Sequence, residues 1–242
     1  MRFIEDTHQY VKNGKYYRPV TSIISNFIPE FKSDVISKAV AKKEDRSQDE
    51  VLDEWRIKRD IGCHWGDSFH LSAELWIKHN TYPKQKILEE FVNKLEEKVG
   101  SRESCESEVM VWSDDLHIAG TIDIVHTLSE PESDGESKEV ELIDIKTNKE
   151  LNKSHNAMKE PFEDWRDSKI NKYTLQLNIY RELISELQDV DVKAMKIYRV
   201  NFEEGLEIEE IEVEKVDNII SAINSLNLKV ESEETSLLDE II

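Results

Sequence analysis

Two aspartates and a lysine have the types and spacing to do chemistry. Gly120-Thr121-Ile122-Asp123 is followed, twenty-one residues after its aspartate, by Asp144-Ile145-Lys146. In a strand, side chains two apart share a face. Asp144 and Lys146 therefore project together, while Ile145 points the other way into apolar packing. If the strands carrying Asp123 and Asp144 pair, two carboxylates converge beside one ammonium. Two acids at one point need a compensating cation, or one must take a proton. A hard divalent ion held by carboxylate oxygens meets that need. It suits phosphodiester hydrolysis, because it polarises a phosphoryl oxygen and acidifies a bound water. Lys146 would orient that water or stabilise developing negative charge. For an Asp-x-Lys alone, a surface ion pair is the plain alternative. The apolar flanks Leu142-Ile143, Ile122 and Ile124-Val125 argue instead for central strands, where charge must be paired or metal-bound.

Other residues fall into order around this pair. Val20-Thr21-Ser22-Ile23-Ile24 comes early, then Gly66-Asp67-Ser68-Phe69-His70 with Glu74 beyond. Glu108 precedes Gly120, and Gln176 and Tyr180 follow Thr147. Together these resemble the PD-(D/E)XK nuclease superfamily, in its RecB-type exonuclease branch. That branch includes mitochondrial genome-maintenance exonucleases and many phage nucleases. The matching motifs are GxxxH at Gly66–His70, an acid opening the first core strand at Glu108, GxxD at Gly120–Asp123, DxKT at Asp144–Thr147, and QxxxY at Gln176–Tyr180.

The resemblance implies roles. His70 would be a metal ligand from a helix, with Asp123, Asp144 and the Ile145 carbonyl as oxygen ligands and Lys146 as the catalytic lysine. Glu108 would hold a second ion or position the His70 helix, and ranks below the other ligands. His64 competes with His70, but Glu74 shares a helical face with His70. Gly66, on that face too, would permit close approach of backbone or DNA. Mg²⁺ is the expected ion, and an imidazole ligand admits Mn²⁺. Gln176 and Tyr180, at i and i+4, share a face with Lys172 and would hold a phosphate or base near the metal. The alternative is that Tyr180 is simply core, since it also lies on an apolar stripe.

A DNA path is less sharply written. Lys149, Lys153, Arg166, Lys169 and Lys172 follow the metal strand, with Trp165 among them as a possible stacking platform. Lys193, Lys196 and Arg199 add charge later. A solvated basic face is the plain alternative. From Ile145 to Lys172 there are seven bases and five acids, a net of +2, in a chain of net −20. From Asn201 to Ile242 there are thirteen acids and two bases, a net of −11. The overall sign excludes a polycation-style nucleic-acid binder. It leaves the middle of the chain as the part an anionic substrate can approach.

Elements must hold these residues in place. Asn13-Gly14 predicts a hairpin turn between Phe3-Ile4 and Tyr16-Tyr17. Pro19-Val20-Thr21 leads into a helical pattern through Ile23, Ile24 and Phe27. Residues 32–60 read as helical and highly charged, 62–79 as a second helix, and 85–99 as a third closed by Gly100. The period then changes to strands at Glu108–Trp112, Ile118–Leu128 and Val140–Thr147. A polar turn at 129–138 joins the last two. Residues 148–167 are irregular, and a long loop of that kind is often functional. An arch or clamp over a strand end is one such use. A helix follows at 168–188, then strands at Met195–Asn201 and Leu206–Val213, then a helix near Val216–Leu228 and an acidic tail.

The expected fold class is α/β. It has a PD-(D/E)XK restriction-endonuclease-like core, a central mixed β-sheet flanked by helices, and a helical N-terminal elaboration. One nuclease domain over 1–242 is expected, with an elaboration at 1–60, a catalytic core at 61–213 and a C-terminal helix and acidic tail at 214–242. No apolar run is long enough to span a membrane, and no secretory signal opens the chain. Two cysteines cannot supply a four-thiolate cluster; reduced thiols point to a cytoplasmic protein, which the resemblance sets in a bacterial or phage-infected cell.

The leading expectation is a Mg²⁺- or Mn²⁺-dependent exonuclease acting on single-stranded or duplex DNA ends, in phage or bacterial recombination, repair or processing. The alternative is a non-catalytic DNA- or protein-binding module that retains the fold, with a protein partner docking on the acidic C-terminal region. A nucleotide phosphohydrolase is a third reading.

Overall fold

The computed structural model describes residues 1–4, 9–133 and 135–225. The chain opens with three short strands, β1 (Arg2–Ile4), β2 (Gln9–Lys12) and β3 (Lys15–Pro19). Asn13 and Gly14 both take positive φ, 51° and 78°, the left-handed pair that matches strand twist in a two-residue turn. So tight a turn joins immediate neighbours, and the hairpin is β2–β3, with Tyr10 opposite Tyr17. Phe3 and Ile4 pair on the other side of β2 instead.

Pro19 ends β3 and leads directly into α1 (Val20–Asn26), which buries Val20, Ile23 and Ile24. α2 (Ser33–Glu44) stops at Asp45 in a left-handed cap. α3 (Gln48–His79) then runs for 32 residues. The expected helices at 32–60 and 62–79 are thus divided elsewhere. The break falls at 45–47, where Ser47 and Glu50 form a reciprocal capping box. Gly62 does not interrupt α3. It lies exposed with open space around it, so its cost is only the loss of about 0.5–1 kcal/mol of helix propensity. α4 (Lys86–Val99) closes at Gly100, in positive φ.

The sheet core follows as β4 (Cys105–Ser113), β5 (Ile118–Ser129) and β6 (Lys138–Lys146). α5 (Lys169–Leu187), β7 (Val190–Asn201) and β8 (Glu207–Glu212) complete the named elements. The sheet order is β1-β2-β3-β5-β6-β7-β8, with β4 also paired to β5. β5–β6 is antiparallel and β6–β7 parallel, so the sheet is mixed. α5 is the crossover that a parallel pair requires.

Helices cover both faces. Val140 and Leu142 point into one core with α1 and α5, whereas Ile143 and Ile145 point into the other with α3 and α4. That alternation puts Asp144 and Lys146 on the α5 face.

Residues 148–167 are irregular, as expected, but they do not stand free as an arch. Met158 and Phe162 are buried, Phe162 meets Phe27 edge-on, and the Lys159 amide donates to the Phe27 carbonyl at 2.7 Å. The middle of the loop is pinned on α1 because it carries apolar anchors. A helical segment occupies 219–225. The rest of the helix expected near 216–228, and the acidic tail after it, lie outside the described residues. Among those described, no helix is long and apolar enough to cross a membrane.

Candidate metal centre and the cleft beside it

β5 and β6 are in register at Ile124–Ile143 and Val125–Leu142. One step further the same register sets Asp123 opposite Asp144. There the backbone ladder gives way, and the Ile145 amide donates to Asp123 Oδ2 at 2.7 Å. A carboxylate has taken the place of a strand carbonyl.

α3 supplies His70 from the other side. Its Nε2 donates to the Ile145 carbonyl at 3.0 Å, and its Nδ1 lies 3.4 Å from Asp123 Oδ1. β4 supplies Glu108, the fourth residue of that strand rather than its opening one. Glu108 takes φ 53°, a left-handed conformation uncommon outside glycine, asparagine and aspartate. Ligand atoms of His70, Glu108 and Asp123 all lie within 4.8 Å of one another. Asp144 is not in that triplet. It is buried, and Lys146 Nζ holds its Oδ2 at 2.7 Å. Glu108, which ranks below the other ligands in the sequence, belongs to the triplet, and Asp144 stands beside it.

The electrostatics follow from burial and crowding. Burial and then the Asp123 charge push the Glu108 carboxyl up to about 7. Burial outweighs the pull of Lys146 and, with Asp123 repulsion, raises Asp144 to about 6. Asp123 moves the other way: burial opposes its charge, but His70 and Lys146 hold it below the usual range. Burial likewise works against a charged His70, but Asp123 raises it to about 9. Lys146 is raised too, since Asp144 and Asp123 outweigh its burial. A nitrogen donor and converging carboxylates, two of them raised by burial and mutual repulsion, form a donor set suited to a divalent metal ion.

α5 closes the other side. Lys146 Nζ sits 4.8 Å above the Tyr173 ring. Gln176 Nε2 donates to the Tyr180 hydroxyl at 3.1 Å, and Tyr180 is buried. Gly120 faces that ring: a Cβ there would overlap Tyr180 Cε1 and lie 2.9 Å from its hydroxyl. Gly120 and Tyr180, recognised as parts of separate motifs, are one packing contact. At Gly66, by contrast, a Cβ would meet only Thr147 Oγ1 at 3.8 Å, so no other part of the protein's backbone approaches closely there.

Two residues near the site carry no functional signal in the sequence. Tyr10, from the hairpin, bonds the Thr121 hydroxyl at 2.9 Å; burial raises it, and Glu108 and Asp123 add to the rise. Tyr173 shares the apolar helical spacing of Leu177, Tyr180 and Ile184, which marks it as core rather than as part of a site.

The DNA-binding candidates separate in space. Lys149, Lys153 and Lys169 line a cleft of about 970 Å³ that reaches Thr147. Lys172 lies with Tyr173 and Gln176 in a smaller cavity against α1. Trp165 is half-buried and packs on Phe162, and exposed Arg166 bridges to Ala157. Lys193, Lys196 and Arg199 are each paired with acids of neighbouring strands. His64 is exposed beside Trp65, away from the triplet.

The family model described as the PD-(D/E)XK nuclease superfamily matches residues 28–240. No curated protein sequence matches the chain. Among solved structures, the protein SSO0001 is 15% identical, with a TM-score of 0.41, and the match covers 94% of this chain and 80% of that one. A candidate exonuclease from Eubacterium rectale is 13% identical with a TM-score of 0.38, covering 92% and 80%.

Proposed function

The chain belongs to the PD-(D/E)XK nuclease superfamily, and from that premise we propose that it is a divalent-metal-dependent DNA exonuclease. The observation that carries this reading is the gathering of His70, Glu108 and Asp123 within 4.8 Å, beside the buried Asp144–Lys146 pair. His70, Asp123 and Glu108 would hold the ion, with Asp144 and the Ile145 carbonyl completing the set. Mg²⁺ or Mn²⁺ at that point would polarise a phosphoryl oxygen and acidify a water.

The side chains divide the remaining work. Lys146 stays protonated at neutral pH, because Asp144 and Asp123 raise it. It therefore acts as a fixed positive charge that stabilises negative charge on the phosphate, rather than as a base. Tyr173 beneath it and Asp144 beside it fix its position. Tyr180 and Gln176 buttress the Gly120 strand that carries Asp123. The preference for DNA ends, a role in phage or bacterial recombination, repair or processing, and one catalytic unit over the whole chain all rest on the motif resemblance.

The test uses end-labelled linear single-stranded and duplex DNA with closed circular DNA, in Mg²⁺ or Mn²⁺. Linear DNA should be degraded and circles spared. Lys146→Ala should lower the rate by about 10²–10³-fold, the usual cost of one transition-state donor, and Asp144→Ala should abolish it. Nicked circles would make the protein an endonuclease. Absence of any metal-dependent cleavage would leave a binding module, the reading that the net charge of −20 favours.

A further inference from the structure

The cleft of about 970 Å³ has two walls of different origin. One is α3, through Lys58, Arg59 and Trp65; the other is the segment after β6 and the start of α5, through Lys149 and Lys169; Phe202 also lines it. Five cations line it against Glu150 and Glu203, a net of +3 in a chain of net −20. Two of the lining residues are aromatic. The Trp65 and Phe202 rings lie 5.0 Å apart, and both are half-buried.

The cations are available to an anion. Lys58, Arg59 and Lys149 have acidic neighbours, but their side chains are 71%, 69% and 74% exposed, and such surface pairs exchange at little cost. Lys169 has a stronger reason to bind. It opens α5, whose first turn carries no acid. A lysine at a helix N-terminus faces the positive end of the dipole. Burial, and then Lys172, push its ammonium down. An anion at this point would offset the dipole and the Lys172 repulsion.

The geometry points to a binding track for single-stranded nucleic acid, running between α3 and the start of α5 toward Lys146. Duplex DNA turns phosphates outward and keeps its bases stacked inside, so it could reach the cationic rims but not the rings. A single strand can do both: phosphates on facing lysines and arginine, bases on Trp65 and Phe202. A volume of about 970 Å³ is at the upper end of small-ligand pockets, enough for about two or three nucleotides and not for a duplex turn. The inference deepens the nuclease reading and rests on it for where the track ends.

Binding is measured on the full chain in chelator, so that no cleavage intervenes, by fluorescence anisotropy with labelled oligo-dT, a duplex of equal length, and an abasic oligomer. Oligo-dT should bind at least about thirtyfold tighter than duplex, the low end of stacking on two rings. The paired change Lys58→Gln and Arg59→Gln, at exposed sites that leave the fold intact, should weaken binding. It should also flatten the log–log salt dependence by about 1.4. Trp65→Leu should weaken oligo-dT binding about 5- to 150-fold while leaving the abasic oligomer unchanged. Equal affinity for duplex, or a salt slope unmoved by the Lys58/Arg59 pair, overturns the track. If the track behaves as expected and the metal-dependent cleavage assay fails, the nuclease reading falls and the track stands. Cleavage without this binding pattern gives the reverse.

Discussion

Asp123 spends its two oxygens on different partners, Oδ2 on the Ile145 amide and Oδ1 toward His70 Nδ1. It is therefore tied both to the neighbouring strand and to the helix behind it, while Glu108 carries the unrelieved share of the repulsion. These ties set the pH dependence. A divalent ion competes with protons for its ligands. His70, raised to about 9 by Asp123, must release one proton below that pH. Glu108, raised to about 7 chiefly by burial, must release a second below it. As pH falls, Mn²⁺ affinity should thus drop about tenfold per unit between about pH 9 and 7, about a hundredfold per unit from there to about 6, and more steeply below, where Asp144 also takes a proton. Calorimetric titration in buffers of different protonation heats reads both the slope and the proton count; a pH-independent affinity would remove His70 and Glu108 from the ligand set. Stability in chelator should move the opposite way. A raised carboxyl is easier to bury protonated, so Glu108 and Asp144 cost stability as pH rises from their ordinary values through about 7 and about 6. The raised His70 contributes fully below its ordinary value and loses that contribution as pH rises through about 9. The gain in thermal midpoint on adding Mn²⁺ should therefore widen with pH. Much of this cluster is legible in sequence, because a two-residue period fixes which strand side chains share a face. Glu108's left-handed backbone is not, since nothing in Ser107-Glu108-Val109 marks it. Nor is Tyr10, which arrives through a hairpin 111 residues from Thr121.

At the scale of elements, the site depends on how closely α5 approaches β5. Gly120 sets that distance. Its backbone is not in the positive-φ set, so its role is space rather than conformation: a Cβ would occupy the volume of the Tyr180 ring. Gly120→Ala should cost about 1–3 kcal/mol, the usual range for overpacking a core. Adding Tyr180→Leu should recover part of that, so that the two changes together cost less than their sum by about 0.5–3 kcal/mol. Urea midpoints of the four proteins measure the coupling, and strict additivity would mean that the ring moves away freely. The sequence marked both residues, as members of separate motifs at positions 120 and 180, but spacing along a chain does not report contact across a layer. Element boundaries were legible where chemistry punctuates them, at Asn13-Gly14 and Gly100. The division of 32–79 after residue 60 misplaces the break, because Ser47 and Glu50, the actual start signal of α3, lie within a run of charge. The 148–167 loop read as polar and free because its anchors Met158 and Phe162 are isolated in sequence. Their partners, Phe27 among them, belong to α1.

Across the whole molecule, two fields of opposite sign act on an approaching polyanion. The chain carries −20, of which −11 falls after residue 200, while the cleft carries a net of +3. The larger charge acts at distance and the smaller at contact, so ionic strength separates them. At about 0.01 M salt the screening length is about 30 Å, and an oligonucleotide meets the repulsion of the whole protein; at about 0.1 M it is about 10 Å, and only the nearer charges count. The association rate constant for a short single strand should therefore hold or rise across that interval. An ordinary basic binder loses association rate as salt rises. Equilibrium affinity should nevertheless weaken, because counterion release from each phosphate contact is lost within the cleft. The weakening must then reside in dissociation. Stopped-flow mixing with labelled oligo-dT in chelator resolves the two rates. An association rate that falls steeply with salt would mean that the cleft's field dominates the approach, and that the negative charge is turned away from it. A rate that holds would identify repulsion as a filter: strands that reach the rings are retained, and polyanions that cannot enter the cleft, duplex DNA among them, are kept off the surface.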